Sequence, residues 1–93
     1  MGRTRIFRAE GIRFVFAYDR DDPTLLHIYA RHLTTPQEAM DTFLDPTATT
    51  TWNQRYGRFE TYSAARGLFW FWLEQGQAVM VISCFRTTEE EEW

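Results

Sequence analysis

Between positions 55 and 66 the chain gathers side chains suited to holding an oxyanion and moving a proton: Arg55, Tyr56, Arg58, Glu60, Tyr62 and Arg66. Arg58, Glu60 and Tyr62 alternate with Phe59, Thr61 and Ser63, and in an extended chain alternate side chains leave the same face, so the polar triplet projects together. Arginine offers a planar fork for phosphate or carboxylate, while glutamate and tyrosine can accept or give a proton. Arg86, at the end of a later apolar run, is a further candidate cation, and His32 a further candidate for proton transfer. His27 and His32 lie five apart, which is not the spacing of two residues on one helical face, and no Cys, His or carboxylate set has metal-ligand spacing. No metal and no other cofactor is expected. There is neither a phosphate-cradling glycine loop nor a Gly-x-Ser-x-Gly elbow. Cys84, the one cysteine, sits in an apolar run and reads as a core residue.

These residues must be positioned by elements that the hydrophobic periods define. Ile12, Phe14, Phe16 and Tyr18 alternate with Arg13, Val15 and Ala17 as in a strand, and Gly11 can turn an earlier strand, Arg5 to Ala9, into it as a hairpin. Asp21, Asp22 and Pro23 offer a cap for a helix from Pro23 to about Arg31. Thr35, Pro36 and Glu38 carry the spacing of a capping box, predicting a second helix from Pro36 to about Leu44, closed by Asp45 and Pro46. The period then alternates: strands are predicted at Thr49 to Asn53, Arg58 to Ser63, Leu68 to Glu74 and Ala78 to Phe85, with a glycine at each intervening turn. The predicted fold is α+β, in the order β(β)-α-α-β-β-β-β, with two short helices packed on one face of an antiparallel sheet.

With 93 residues, 44% hydrophobic and 25% charged, the chain has the composition of a single folded domain, assigned to residues 1 to 88, followed by an acidic tail at 89 to 93. That tail, Glu89 to Glu92 and Trp93, is expected to be mobile unless Trp93 docks. Removing its four glutamates from the net charge of −3 leaves +1. All ten basic residues are arginine, which suits phosphate but also follows from codon bias. No apolar run has the roughly 20 residues of a membrane helix, so no membrane association is expected, and a reducing cytoplasm suits the lone cysteine.

Several motifs recur together in one family. Phe16-Ala17-Tyr18-Asp19 ends the aromatic strand. His32-Leu33-Thr34-Thr35-Pro36-Gln37-Glu38-Ala39 leads into the second helix, which closes with Phe43-Leu44-Asp45-Pro46. Gly57-Arg58-Phe59, Ser63 to Gly67, and Val81-Ile82-Ser83-Cys84-Phe85-Arg86 follow in order. Over about Phe16 to Arg86 this pattern resembles the BrnT toxins of bacterial type II toxin-antitoxin pairs, which have a RelE-like ribonuclease fold. The chain departs from the family in having Leu33 for a glycine and Gly57 for a glutamate. Its closing arginine is displaced by one place to Arg86, it has no lysine, and an acidic tail replaces the C-terminal helix.

The resemblance implies a metal-independent endoribonuclease, with RNA as substrate and a cognate antitoxin as partner. On that reading Arg58 and Arg86 clamp phosphate, Glu60 or Tyr62 moves protons, His32 occupies the motif histidine, and Arg55 and Arg66 bind RNA. His32 has a second reading as a cap for carbonyls at a helix C-terminus. Leu68 to Leu73 is apolar on both faces, with Trp70 and Trp72 on one and Phe69, Phe71 and Leu73 on the other. Trp70 and Trp72 are the candidate partner-binding residues, and an aromatic platform for bases is a further reading. The alternative to the toxin is a non-catalytic interaction module or homodimer that keeps the fold.

Overall fold

The computed structural model describes residues 3–86. The tail discussed above lies outside them. Strands β1 (Thr4–Ala9) and β2 (Ile12–Ala17) form a hairpin whose two-residue loop, Glu10 and Gly11, has φ of 53° and 77°. Positive φ at both loop positions matches the twist of the flanking strands. The chain then crosses through α1 (His27–His32) and α2 (Pro36–Phe43) before β3 (Thr49–Asn53), β4 (Arg58–Ser63), β5 (Leu68–Gln75) and β6 (Ala78–Arg86). The six strands lie in the order β1-β2-β6-β5-β4-β3. The meander predicted for the last four strands is present. One junction, β2 with β6, is parallel rather than antiparallel. The reason is the helical crossover: β3 starts at the far edge running against β2, so three reversals bring β6 back alongside β2 in the same sense.

The first helix begins four residues later than its sequence signal suggested. Asp22 does not cap it; its Oδ1 accepts from the Thr24 N–H and hydroxyl instead. Buried Asp19 accepts the N–H groups of Asp21 and Asp22, and a bridge between Tyr18 and Leu26 keeps this stretch extended beside β2. The helix ends at Leu33, which is left-handed with φ of 53°. The second helix starts as its sequence predicts. Thr35 Oγ1 accepts from the Glu38 N–H, and Glu38 returns a carboxylate to the Thr35 N–H.

Both helices cover one face of the sheet. Phe14, Phe16, Leu68, Trp70, Val79, Val81 and Cys84 meet Ile28, Ala39 and Met40 there. Phe43 is wedged among Phe14, Trp70 and Trp72, with ring centroids 5.1 to 5.2 Å away. Strict alternation along β6 fails once. Phe71 pairs with Ser83 and Trp72 with Val81, leaving Ile82 as a bulge. The bulge turns Cys84 into the core and Phe85 onto the opposite face. Among the described residues the helices pack on the other face, with the His32 ring at the end of α1 reaching Phe85 at the margin of this one, and no helix is long and apolar enough to cross a membrane.

Candidate functional site

The uncovered face carries the polar triplet of β4. Arg58 Nε donates to Glu60 Oε2 at 3.1 Å, and the same oxygen accepts from Asn53 Nδ2 at 2.9 Å. The Arg58 guanidinium lies 3.7 Å from the centroid of the Phe71 ring and 4.9 Å from that of Tyr56, sandwiched between two π faces. Tyr56 itself is 60% exposed, in the turn between β3 and β4, and Arg55 lies over it at 5.5 Å. Further along the same face, Tyr62 stacks on Phe69 at 4.6 Å. Phe69 stacks on Phe85 at 5.7 Å, and Phe71 meets Phe85 edge-on at 5.3 Å. The result is a half-buried aromatic row with a cation, a carboxylate and a phenol at one side. It can stack planar groups and hold an anion next to groups able to transfer protons.

The register explains why these residues meet. Glu60 pairs with Phe71 and Tyr62 with Phe69, so the apolar run of β5 presents its phenylalanines to the polar side chains of β4. Strand β5 needs no arginine of its own, because Arg58 reaches over from its neighbour. Tyr56 was among the residues gathered from the sequence, whereas Asn53 and Phe85 were not singled out. Asn53 ends β3 beside the turn, and Phe85 reaches this face only because of the bulge.

Other expected members lie elsewhere. Ser63, Leu68 and Arg86 share one row across β4, β5 and β6, so Arg86 is five positions along the strands from Arg58, roughly 16 Å, and points to the opposite face. There it donates to the carbonyl of His32 at 3.0 Å and to Glu38 Oε2 at 2.9 Å, joining the end of α1 to the start of α2. The structure therefore does not bring the two expected phosphate clamps together. Arg66 is also at that far end, 3.9 Å from Asp45 Oδ2, while Arg55 is beside Arg58. His32 is the exception: its ring contacts Phe85, a member of the aromatic row, at 5.7 Å and His27 at 6.2 Å, so the end of α1 reaches the edge of that row. The N–H groups of Leu33 and Thr34 serve the last carbonyls of α1, those of Tyr29 and Ile28. The expected partner-facing tryptophans are a correction. Trp70 is fully buried under the helices, and Trp72 is partly buried on the same side, donating to Thr61 Oγ1. The phenylalanine face, not the tryptophan face, is the open one.

Electrostatics separate structural charges from the open face. Burial tends to raise the Asp19 carboxyl, but the N–H groups of Asp22 and Asp21 and the Arg31 guanidinium outweigh it and hold it below the ordinary carboxylate value. The Thr35 N–H similarly lowers Glu38, against its partial burial and with help from the Thr35 hydroxyl and Arg86. Asp45 is lowered by the N–H and hydroxyl of Thr47 and the hydroxyl of Ser63. Burial pushes the Cys84 thiol up to about 12, so this sulfur is a packing group rather than a nucleophile. Among the described residues no three His, Cys, Asp or Glu side chains group as metal ligands. Compared with models of known protein families, with curated proteins and with solved structures, the chain matches none.

Proposed function

We propose that this chain is a BrnT-like ribonuclease that binds single-stranded RNA on the open face of its sheet. The observation that carries the reading is the placement of Arg58, Glu60 and Tyr62 along the Tyr62-Phe69-Phe85 stack on the face opposite the helix-packed core. Bases would stack on the aromatic row, and the Arg58 Nη groups, which the Glu60 contact through Nε leaves available, would hold a phosphate. Glu60 or Tyr62 would take the proton of a ribose 2′-hydroxyl. The 2′-oxygen then bonds to phosphorus as the P–O5′ bond breaks, with the proton returned to the departing 5′-oxygen. Position 33 adds support: its backbone is left-handed, the conformation glycine favours, where the resembling family has glycine. Arg86 has no part in this chemistry; it ties the helices to β6.

A second reading, a non-catalytic interaction module, draws on the commitment of Glu60. One of its oxygens already holds both Arg58 and Asn53, so proton transfer must compete with that pair. Purified protein incubated with single-stranded RNA decides between them. The ribonuclease reading expects cleavage that falls about 100-fold or more in R58A and E60Q, with Y62F showing whether the phenol shares the role. Folded wild-type protein that binds RNA without cutting it would favour the second reading, and protein that does neither would contradict the RNA reading altogether.

A further inference from the structure

The hairpin of β1 and β2 lies, up to Val15, before the stretch that resembles a known family, and its register is unusual. Arg8 pairs directly with Arg13 across the two strands, and both side chains are exposed. Phe7 and Phe14 beside them belong to the helix-covered side, so Arg8 and Arg13 project from the same open face as Arg58. Two like charges directly opposite on a sheet repel, and among the described residues no carboxylate neutralises either one. Among the described residues four other arginines have carboxylate partners: Arg31 with Asp19 and Asp21, Arg58 with Glu60, Arg66 with Asp45, and Arg86 with Glu38. What sets Arg8 and Arg13 apart is that they face each other directly across a strand pair, and a bound anion would relieve that repulsion.

Its position gives the anion a class. Arg13 aligns with Ala78 of β6, which aligns with Gln75 at the end of β5, next to the turn holding Arg55 and Tyr56. The paired arginines thus sit at the same end of the sheet as the Arg55-Tyr56-Arg58 group, separated by three strand spacings, about 14 Å. Building on the RNA reading above, we infer that Arg8 and Arg13 form a second phosphate anchor, so that a single-stranded RNA crosses the strands from the β3–β4 turn to the β1–β2 hairpin. One polyanion bridging both groups explains why two separated basic clusters share one end and one face. Two forked guanidinium groups facing each other suit the oxygens of one phosphate.

The test uses full-length protein and non-cleavable 2′-O-methyl RNA of about 4 and about 10 nucleotides, with affinity read by fluorescence anisotropy across a salt series. R8E places a carboxylate opposite Arg13, so it should unfold no earlier than wild type while losing the anchor. Its affinity for the longer RNA should fall about tenfold or more, with a shallower salt dependence, while the shorter RNA binds as before. R5A, altered on the other face of β1, should behave as wild type. If R58A weakens binding of the longer RNA and R8E does not, the second anchor is refuted and the RNA reading stands. If wild-type protein binds neither RNA, both are refuted. If an acidic peptide binds instead, and R8E abolishes that binding, the pair belongs to a protein interface and the inference fails.

Discussion

Arg58 shows how a short side chain segment acquires a role through its neighbours: its charge is shared with Glu60 and its plane is held between Phe71 and Tyr56. Replacing Phe71 with alanine removes one wall of that sandwich, and RNA affinity should fall even though no charge changes; a titration of F71A against wild type checks this. Leu33 is a different case. It is 66% exposed and left-handed, so its side chain contributes little burial while its backbone carries the cost of an unfavoured conformation. L33G should raise unfolding free energy by about 0.5–1 kcal/mol in urea denaturation. Cys84, fully buried and raised to about 12, should resist thiol reagents at mildly alkaline pH until denaturant unfolds the chain. The alternation of Arg58, Glu60 and Tyr62 was legible in the sequence, because strand geometry alone decides it. The sandwich was not, because it depends on which residues of β5 and the turn lie next to Arg58.

At the level of elements, the capping box and the turn glycines located α2 and the last four strands to within a residue or two. The start of α1 was misplaced because Asp19, two and three residues before the apparent caps Asp21 and Asp22, takes the backbone groups that would have set the helix earlier. The bulge at Ile82 was also hidden, since Val79 to Phe85 is a dense apolar run whose sequence does not mark the two faces, and only the pairing with β5 reveals the extra residue. That single extra residue decides that Phe85 belongs to the open face. Two substitutions test the joints between elements. T35A breaks the reciprocal cap of α2 and should cost about 1 kcal/mol. R86A unties α1 and α2 from β6 and should also cost about 1 kcal/mol, yet leave RNA cleavage per folded molecule unchanged. A loss of cleavage in folded R86A would return that arginine to the site.

For the molecule as a whole, the two faces of the sheet differ: one is packed by the helices and fixes the fold, and the other carries Arg58, Glu60 and Tyr62, the groups of the proposed chemistry. The acid response should follow the packed side. Asp19, Glu38 and Asp45 all have folded-state values below the ordinary ones, so their contribution is present above the unfolded carboxylate value and is lost as pH falls through the folded value. Thermal stability should therefore be level from neutral pH to about 5 and decline below about 4, and D19N should be less stable at neutral pH with a shallower acid decline. The α+β architecture was legible from periodicity, but the burial of Trp70 and Trp72 was not, because a strand apolar on both faces does not say which face the helices will choose. The central claim, that RNA occupies the face left open, is tested most directly by aromatic NMR spectra of the protein titrated with non-cleavable single-stranded RNA. The account predicts shifts at the rings of Tyr62, Phe69, Phe71 and Phe85 with Phe14 and Trp70 unmoved; shifts confined to the helix side, at Tyr29, or none anywhere, would contradict it.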